Sequence, residues 1–221
     1  MVRPLVDGFR RLIGSQRAES GMGALLIFIA SILVAAVAAS VIIQTTYMAQ
    51  QRAQSTAELS IRDVSNGFKI LSVEGKVNDN YLQYIYLKVA LHAGSDPIDL
   101  SNVIIEITDG TNEASLELNT TWLSKLGHTP TTIDIGSAEE NATVNKNFTV
   151  VVLRDPNEVF TNTNPIVTQG TLLKIVISVE GWNIGSQKEV TIKIIPKHGV
   201  PTLEKFTTPA TFGGKTYVSL V

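Results

Sequence analysis

The chain has 221 residues, a formal net charge of −2 and no cysteine. That length suits one domain plus an extended element, the near-neutral charge excludes a polybasic nucleic-acid partner, and the absence of thiols excludes a disulfide framework or a thiolate metal site. Hydropathy is raised mainly by one N-terminal run.

The opening segment, MVRPLVDGFRRLIGSQRAES, sets Arg3, Arg10, Arg11 and Arg17 ahead of GMGALLIFIASILVAAVAASVII at 21–43. The second stretch carries no charged side chain and is long enough to cross a bilayer. Basic residues before it predict a cytoplasmic N-terminus, with the remaining bulk sent outward. A secretory signal would be shorter and followed by its small-residue cleavage site. Here the small residues precede the apolar run, around Ala18 and Glu19. A cut there would leave the apolar helix as the mature N-terminus. Such a helix leaves the bilayer only if equivalent surfaces bury it, because exposing it to water costs about 25 cal/mol per Å². Polymerisation supplies those surfaces; a plain membrane anchor with a juxtamembrane helix is the alternative.

From 20 to about 61 there is no proline, and glycine occurs only at the start. One continuous helix is expected, reaching roughly 60 Å. Ala35, Ala36, Ala38 and Ala39 would let neighbouring helices approach closely. Gln44, Thr45, Gln50, Gln51, Arg52 and Gln54 then mark a change toward water or a polar seam between subunits.

After Asn66-Gly67 the apolar period becomes twofold. Strands are expected at 68–73, 81–91, 103–108, 114–118, 148–153, 172–179, 190–195 and 216–220, with Asn, Asp, Gly and Pro clusters between them. About eight such strands predict an immunoglobulin-like β-sandwich. The fold class is therefore α+β: a long N-terminal hydrophobic α-helix followed by an all-β sandwich domain. Residues 122–126 read as a short helical turn or a loop anchored by Trp122. Gly213-Gly214 reads as the last hairpin turn, returning the C-terminal strand to the sheet.

Chemistry-bearing motifs are sparse. His92, His128 and His198 stand far apart, without the spacing of a metal site. No nucleophile elbow, Walker loop or dinucleotide fingerprint occurs, so neither an enzyme nor a cofactor is expected. Asp96, Asp99 and Asp109 are candidate ligands for a hard cation, set against their ordinary role as turn residues. Asn119-Thr120-Thr121, Asn141-Ala142-Thr143 and Asn147-Phe148-Thr149 are N-glycosylation sequons in the part expected outside the cell.

Ser20 to Ala39, SGMGALLIFIASILVAAVAA, followed by MAQQRA at 48–53 and IIPKHGVPTLEKFTTPATFGGKTYVSLV at 194–221, resembles the archaellins, the filament subunits of the archaeal flagellum. The likeness is close over roughly the first quarter and last eighth of the chain, and general between. It implies a basic leader at 1–18 removed between Ala18 and Glu19 by a prepilin-type signal peptidase. Archaellins are usually cut after glycine, so Ala18 is a departure. It further implies a polymerisation helix at 19–61 and an outer β-domain at 62–221. Leu25, Leu26, Ile27, Phe28, Ile29, Ile32, Leu33, Val34, Val37, Val41 and Ile42 are expected in the filament core. Bacterial pilins place a glutamate five residues into the mature chain; Gly23 stands there.

The resemblance also implies a membrane-inserted precursor, a homopolymer or a heteropolymer with sister archaellins at the cell surface, and rotation by the archaellum membrane motor complex, with sugar on Asn119, Asn141 or Asn147. An adhesive archaeal type IV pilin, and a membrane-tethered β-domain binding an extracellular solute, are the alternative readings.

Overall fold

The computed structural model describes the backbone of residues 3–125, 135–161 and 163–220, with side chains from 20 onward apart from 124 and 125. Two compact units make up the chain, Met1–Glu58 and Leu59–Val221.

Helix α1 runs Arg3–Ser65, containing the expected 20–61 span and continuing past both of its ends. Pro4 falls in the first turn, where a missing N–H costs no intrahelical bond, and the next proline is Pro97. The helix ends at Asn66-Gly67. Asn66 N donates the last helical bond to Arg62 O at 3.0 Å. Its side-chain Oδ1 accepts from Asp96 N at 2.8 Å, which commits the residue to the β-domain.

Strands β1 (Phe68–Asn78) and β2 (Tyr81–Leu91) form a hairpin over Asp79 and Asn80, whose φ values are 50° and 64°. A two-residue turn needs positive φ to match the twist of its strands, and Asp and Asn tolerate it best after glycine. The order continues β3 (Ile98–Asp99), a 3-10 turn (Leu100–Asn102), β4 (Ile104–Thr108), β5 (Glu113–Leu118), α2 (Thr120–Lys125), α3 (Ile135–Asn141) and β6 (Asn147–Arg154). It ends with β7 (Ile166–Val167), β8 (Leu172–Ser178), β9 (Glu189–Ile195), β10 (Thr202–Thr207) and β11 (Tyr217–Ser219).

Among the described residues nine strands hydrogen-bond in the order β10-β9-β4-β5-β6-β8-β2-β1-β11, and β3 pairs separately with β7. Two antiparallel halves meet at one short parallel link, Glu117 with Asn147 and Leu118 with Phe148. The sheet curls back on itself. Thr202 Oγ1 on β10 donates to Phe68 O on β1 at 2.6 Å, although these strands lie near opposite ends of the order. Inward-facing residues interleave as the core: Phe68, Ile85, Leu87, Ile105, Leu116, Phe148, Ile175 and Ile192 are all buried. Along β4, β5 and β9 buried and open positions alternate, making one face apolar and the other polar, whereas β6 is buried at consecutive positions from Phe148 to Val152.

The expected α+β architecture is present, as a curled sheet with its two halves joined. All eight expected strands form; β3, β7, β10 and α3 are additional. Trp122 is buried within α2, while Leu126 and His128 lie outside the described residues. Gly213 and Gly214 do turn the chain, with φ of 57° and 70°. The turn is not a hairpin, however, because β10 pairs with β9 and β11 with β1.

Candidate assembly surface

Every side chain from 20 to 64 is exposed, the partly covered Gly23 aside. The eleven residues expected in a filament core, Leu25 to Ile29, Ile32 to Val34, Val37, Val41 and Ile42, each keep 51–70% of their surface open. Apolar side chains at consecutive positions wrap all faces of the helix, since successive residues point about 100° apart. A helix that is apolar all round belongs in a bilayer or inside a bundle, never in water. Burying each such side chain contributes about 1 kcal/mol or more, so the run is a strong, non-directional assembly surface.

Two hydroxyls on this stretch are satisfied within the helix. Ser31 Oγ donates to Ile27 O at 2.8 Å and Thr45 Oγ1 to Ile42 O at 2.9 Å. Such bonds let hydroxyls sit in an apolar setting without an orphan donor. The helical stretch 20–65 is long and apolar enough to cross a membrane. Ala18 and Glu19 lie within α1, but their side chains are outside the described ones.

Beyond the helix, the singled-out residues do structural work. Asp99 caps the 3-10 turn by accepting from Ser101 N at 2.9 Å. Asp109 closes the β4–β5 turn, accepting from Thr111 N at 2.8 Å and Asn112 N at 2.5 Å. Burial alone would raise its pKa, but these hydrogen bonds to the carboxylate prevail and hold it below the usual carboxylate value. Asp96 pairs with Arg62 at 3.2 Å across a cleft of about 290 Å³. Among the described residues no three His, Cys, Asp or Glu side chains come together as a metal site. His198 Nδ1 lies 3.6 Å from Asp63 Oδ1, and His92 is exposed.

Two of the three sequon asparagines are engaged. Asn119 Oδ1 accepts from Trp122 N at 3.0 Å, capping α2, while Asn119 Nδ2 donates to Asn141 O at 2.9 Å. Asn141 Nδ2 donates to Ser137 O at 2.8 Å. Asn147 is partly buried at the start of β6, and the hydroxyl of its sequon, Thr149 Oγ1, is buried and donates to Ala138 O at 2.8 Å. The Asn119–Trp122 and Asn141–Ser137 bonds are local, whereas sequence periodicity does not reveal Asn119 with Asn141 O or Thr149 with Ala138 O, because the tertiary fold brings those partners in.

A curled β-sheet domain that follows a helix whose apolar side chains are exposed among the described residues has the pattern of a subunit, one whose helix is completed by a membrane or by other copies. A profile of archaeal-type flagellin matches residues 18–206, and the chain belongs to that family. Flagellin B2 of Methanocaldococcus jannaschii is 34% identical over 199 residues, spanning 89% of this chain and 91% of its own length. Flagellin B3 of the same organism is 35% identical over 208 residues, spanning 90% and 94%. Among solved structures, the archaeal flagellum of Methanospirillum hungatei strain JF1 superposes with a TM-score of 0.61 at 18% identity, covering 91% of this chain and 99% of that one. Archaeal flagellin FlaB1 of M. jannaschii gives 0.57 at 23% identity, covering 70% and 96%. Both share the fold.

Proposed function

We propose that this chain is a structural subunit of the archaeal flagellum filament, polymerising through helix α1 and carrying its β-domain outside for swimming motility. The observation that carries the reading is the exposed, all-round apolar surface of α1 in a chain of the archaeal-type flagellin family. Each copy offers different surfaces to successive neighbours, and such a heterologous contact propagates as a helix instead of closing. The subunit transmits torque from the archaellum membrane motor and carries out no catalysis itself.

On this reading the precursor sits in the cell membrane, held by residues 21–43 with the basic leader inside. A prepilin-type signal peptidase cuts between Ala18 and Glu19, dividing leader 1–18 from polymerisation helix 19–61 and outer domain 62–221. The mature subunit then passes from lipid into the filament core, where copies or sister subunits replace the acyl chains around Leu25 to Ile42. Sugar at Asn119 or Asn141 is added before the hydrogen bonds that engage their Nδ2 atoms form, that is, before α2 and α3 settle on the sheet.

Mass spectrometry of protein sheared from the cell surface tests this reading. Subunits recovered from filaments should begin at or near Glu19. A chain with an intact leader, found only in the membrane fraction, would overturn the reading.

A further inference from the structure

Between 20 and 61 only two side chains are charged, Arg52 and Glu58. Both are exposed, and neither has an ion-pair partner among the described residues. They cannot serve each other on one helix. Residues six apart lie roughly 120° apart around the axis and about 9 Å along it, whereas helical ion pairs need a spacing of three or four. Glu58 has an arginine at the favourable spacing, Arg62, but that guanidinium is held by Asp96 at 3.2 Å. Between 20 and 61 the helix therefore carries one cation and one anion without an ion-pair partner among the described residues.

Both charges sit on the C-terminal continuation of the apolar run, whose eleven core candidates are the assembly surface described above. α1 runs unbroken to 65, so copies that pack around that run carry Arg52 and Glu58 on the same continuous helices. A charge brought into such a bundle loses water and must be matched. The helix supplies its own complement, since an arginine on one copy can meet a glutamate on a copy shifted along the axis. Polar and charged positions in a helical bundle fix which register of otherwise slippery apolar surfaces is adopted. The run at 21–43 holds no charged side chain to act as such a marker.

We propose that Arg52 of one copy pairs with Glu58 of a neighbouring copy, and that this inter-subunit ion pair sets the axial register of the helices. The inference rests on the filament reading and names its register-determining residues. The partner is a second copy of this chain, argued from charge complementarity and from continuity with the apolar assembly surface.

The test is a charge swap in the full-length chain, expressed in an archaeal host lacking its own filament subunits. Filaments are counted by electron microscopy, and subunit in the membrane fraction is followed by immunoblot. Arg52→Glu and Glu58→Arg should each reduce filaments on the order of tenfold or more while the membrane pool persists, and the double swap should restore them, as expected for directly coupled sites. Single variants that assemble normally, or a double variant no better than the singles, would overturn the pair. A wild-type chain that forms no filaments would instead sink the filament reading itself.

Discussion

Tyr86 on β2 donates its hydroxyl hydrogen to Oε1 of Glu139, a residue 53 positions further on, and Lys76 Nζ on β1 donates to the other carboxylate oxygen. This contact clips the seven-residue α3 onto the outer face of the sheet. Burial first, and the hydrogen bond to Glu139 second, push the Tyr86 phenol well above its ordinary 10.0. The hydrogen bond to Glu139 likewise raises Lys76 above 10.5.

Both folded-state values lie above their unfolded ones, so the stability they contribute is complete below about pH 10 and lost as pH climbs through the folded values. Thermal unfolding of the full chain in detergent should show a melting temperature that declines above about pH 10. Tyr86→Phe should flatten that decline. Glu139→Ala should cost about 1–3 kcal/mol at neutral pH by leaving the buried phenol without an acceptor. An alkaline limb identical in wild type and Tyr86→Phe would refute the assignment.

Gly199 has a φ of +125°, and a Cβ there would lie 2.4 Å from Asn66 O. That carbonyl accepts from Val200 N at 2.8 Å, so the loop after β9 is stitched directly to the end of α1. Gly199→Ala should cost roughly 3 kcal/mol through backbone strain and the clash, or about 6–12 °C in melting temperature for a unit of this size. Gly94→Ala is the control. Gly94 also has positive φ, at +84°, but nothing lies within 4 Å of its would-be Cβ, so its loss should be the smaller one.

Legibility in the sequence followed how local each element's cause is. Tyr81 to Leu91 reads as a strand because it is long, rich in aromatic and branched residues and alternates over its second half, and β2 matches it. β10 escaped because TLEKFT offers one buried apolar side chain, Phe206, while Leu203 points outward at 60% exposure; pairing with β9 makes it a strand. α3 escaped because IGSAEEN has only Ala138 and Glu139 buried, and its anchor, Tyr86, is remote in sequence. Gly213-Gly214 announced a turn, since glycine tolerates positive φ, but not which strand β11 would join. The apolar composition of 21–43 was plain, whereas its exposure on every face was not, because the same residues would suit a buried core helix.

Asp109 organises the β4–β5 turn through Asn112 N, Thr111 N and Asn112 Nδ2, the last at 3.0 Å. Its carboxyl is held below 3.8 by those bonds despite the opposing effect of burial. The stability it contributes is therefore present above about pH 4 and lost as pH falls through the folded value. Asp109→Ala should cost roughly 1–2 kcal/mol at pH 7 and give a shallower acid limb in a melting-temperature titration. An unchanged acid limb would show that the turn does not depend on the ionised carboxylate.

Val34 sits in the middle of the apolar run and is 70% exposed in the single chain. Val34 belongs to the compact unit other than the β-domain, so Val34→Asp should leave that domain's stability within about 0.5 kcal/mol of wild type. In a filament core the same carboxylate would be buried without a partner, at a cost of several kcal/mol per copy. Copies repeat along the filament, so the penalty recurs at every subunit and assembly should fail. Membrane insertion carries its own cost, about 2.5–3.5 kcal/mol for an aspartate at the helix centre. Immunoblotting of the membrane fraction is therefore needed to separate a chain that inserts but does not polymerise from one that never inserts. Val34→Leu, which keeps the surface apolar, should assemble. Filaments of normal number and length from Val34→Asp would mean that this side of α1 faces solvent in the assembled state, and the all-round apolar surface would then need an occupant other than neighbouring copies.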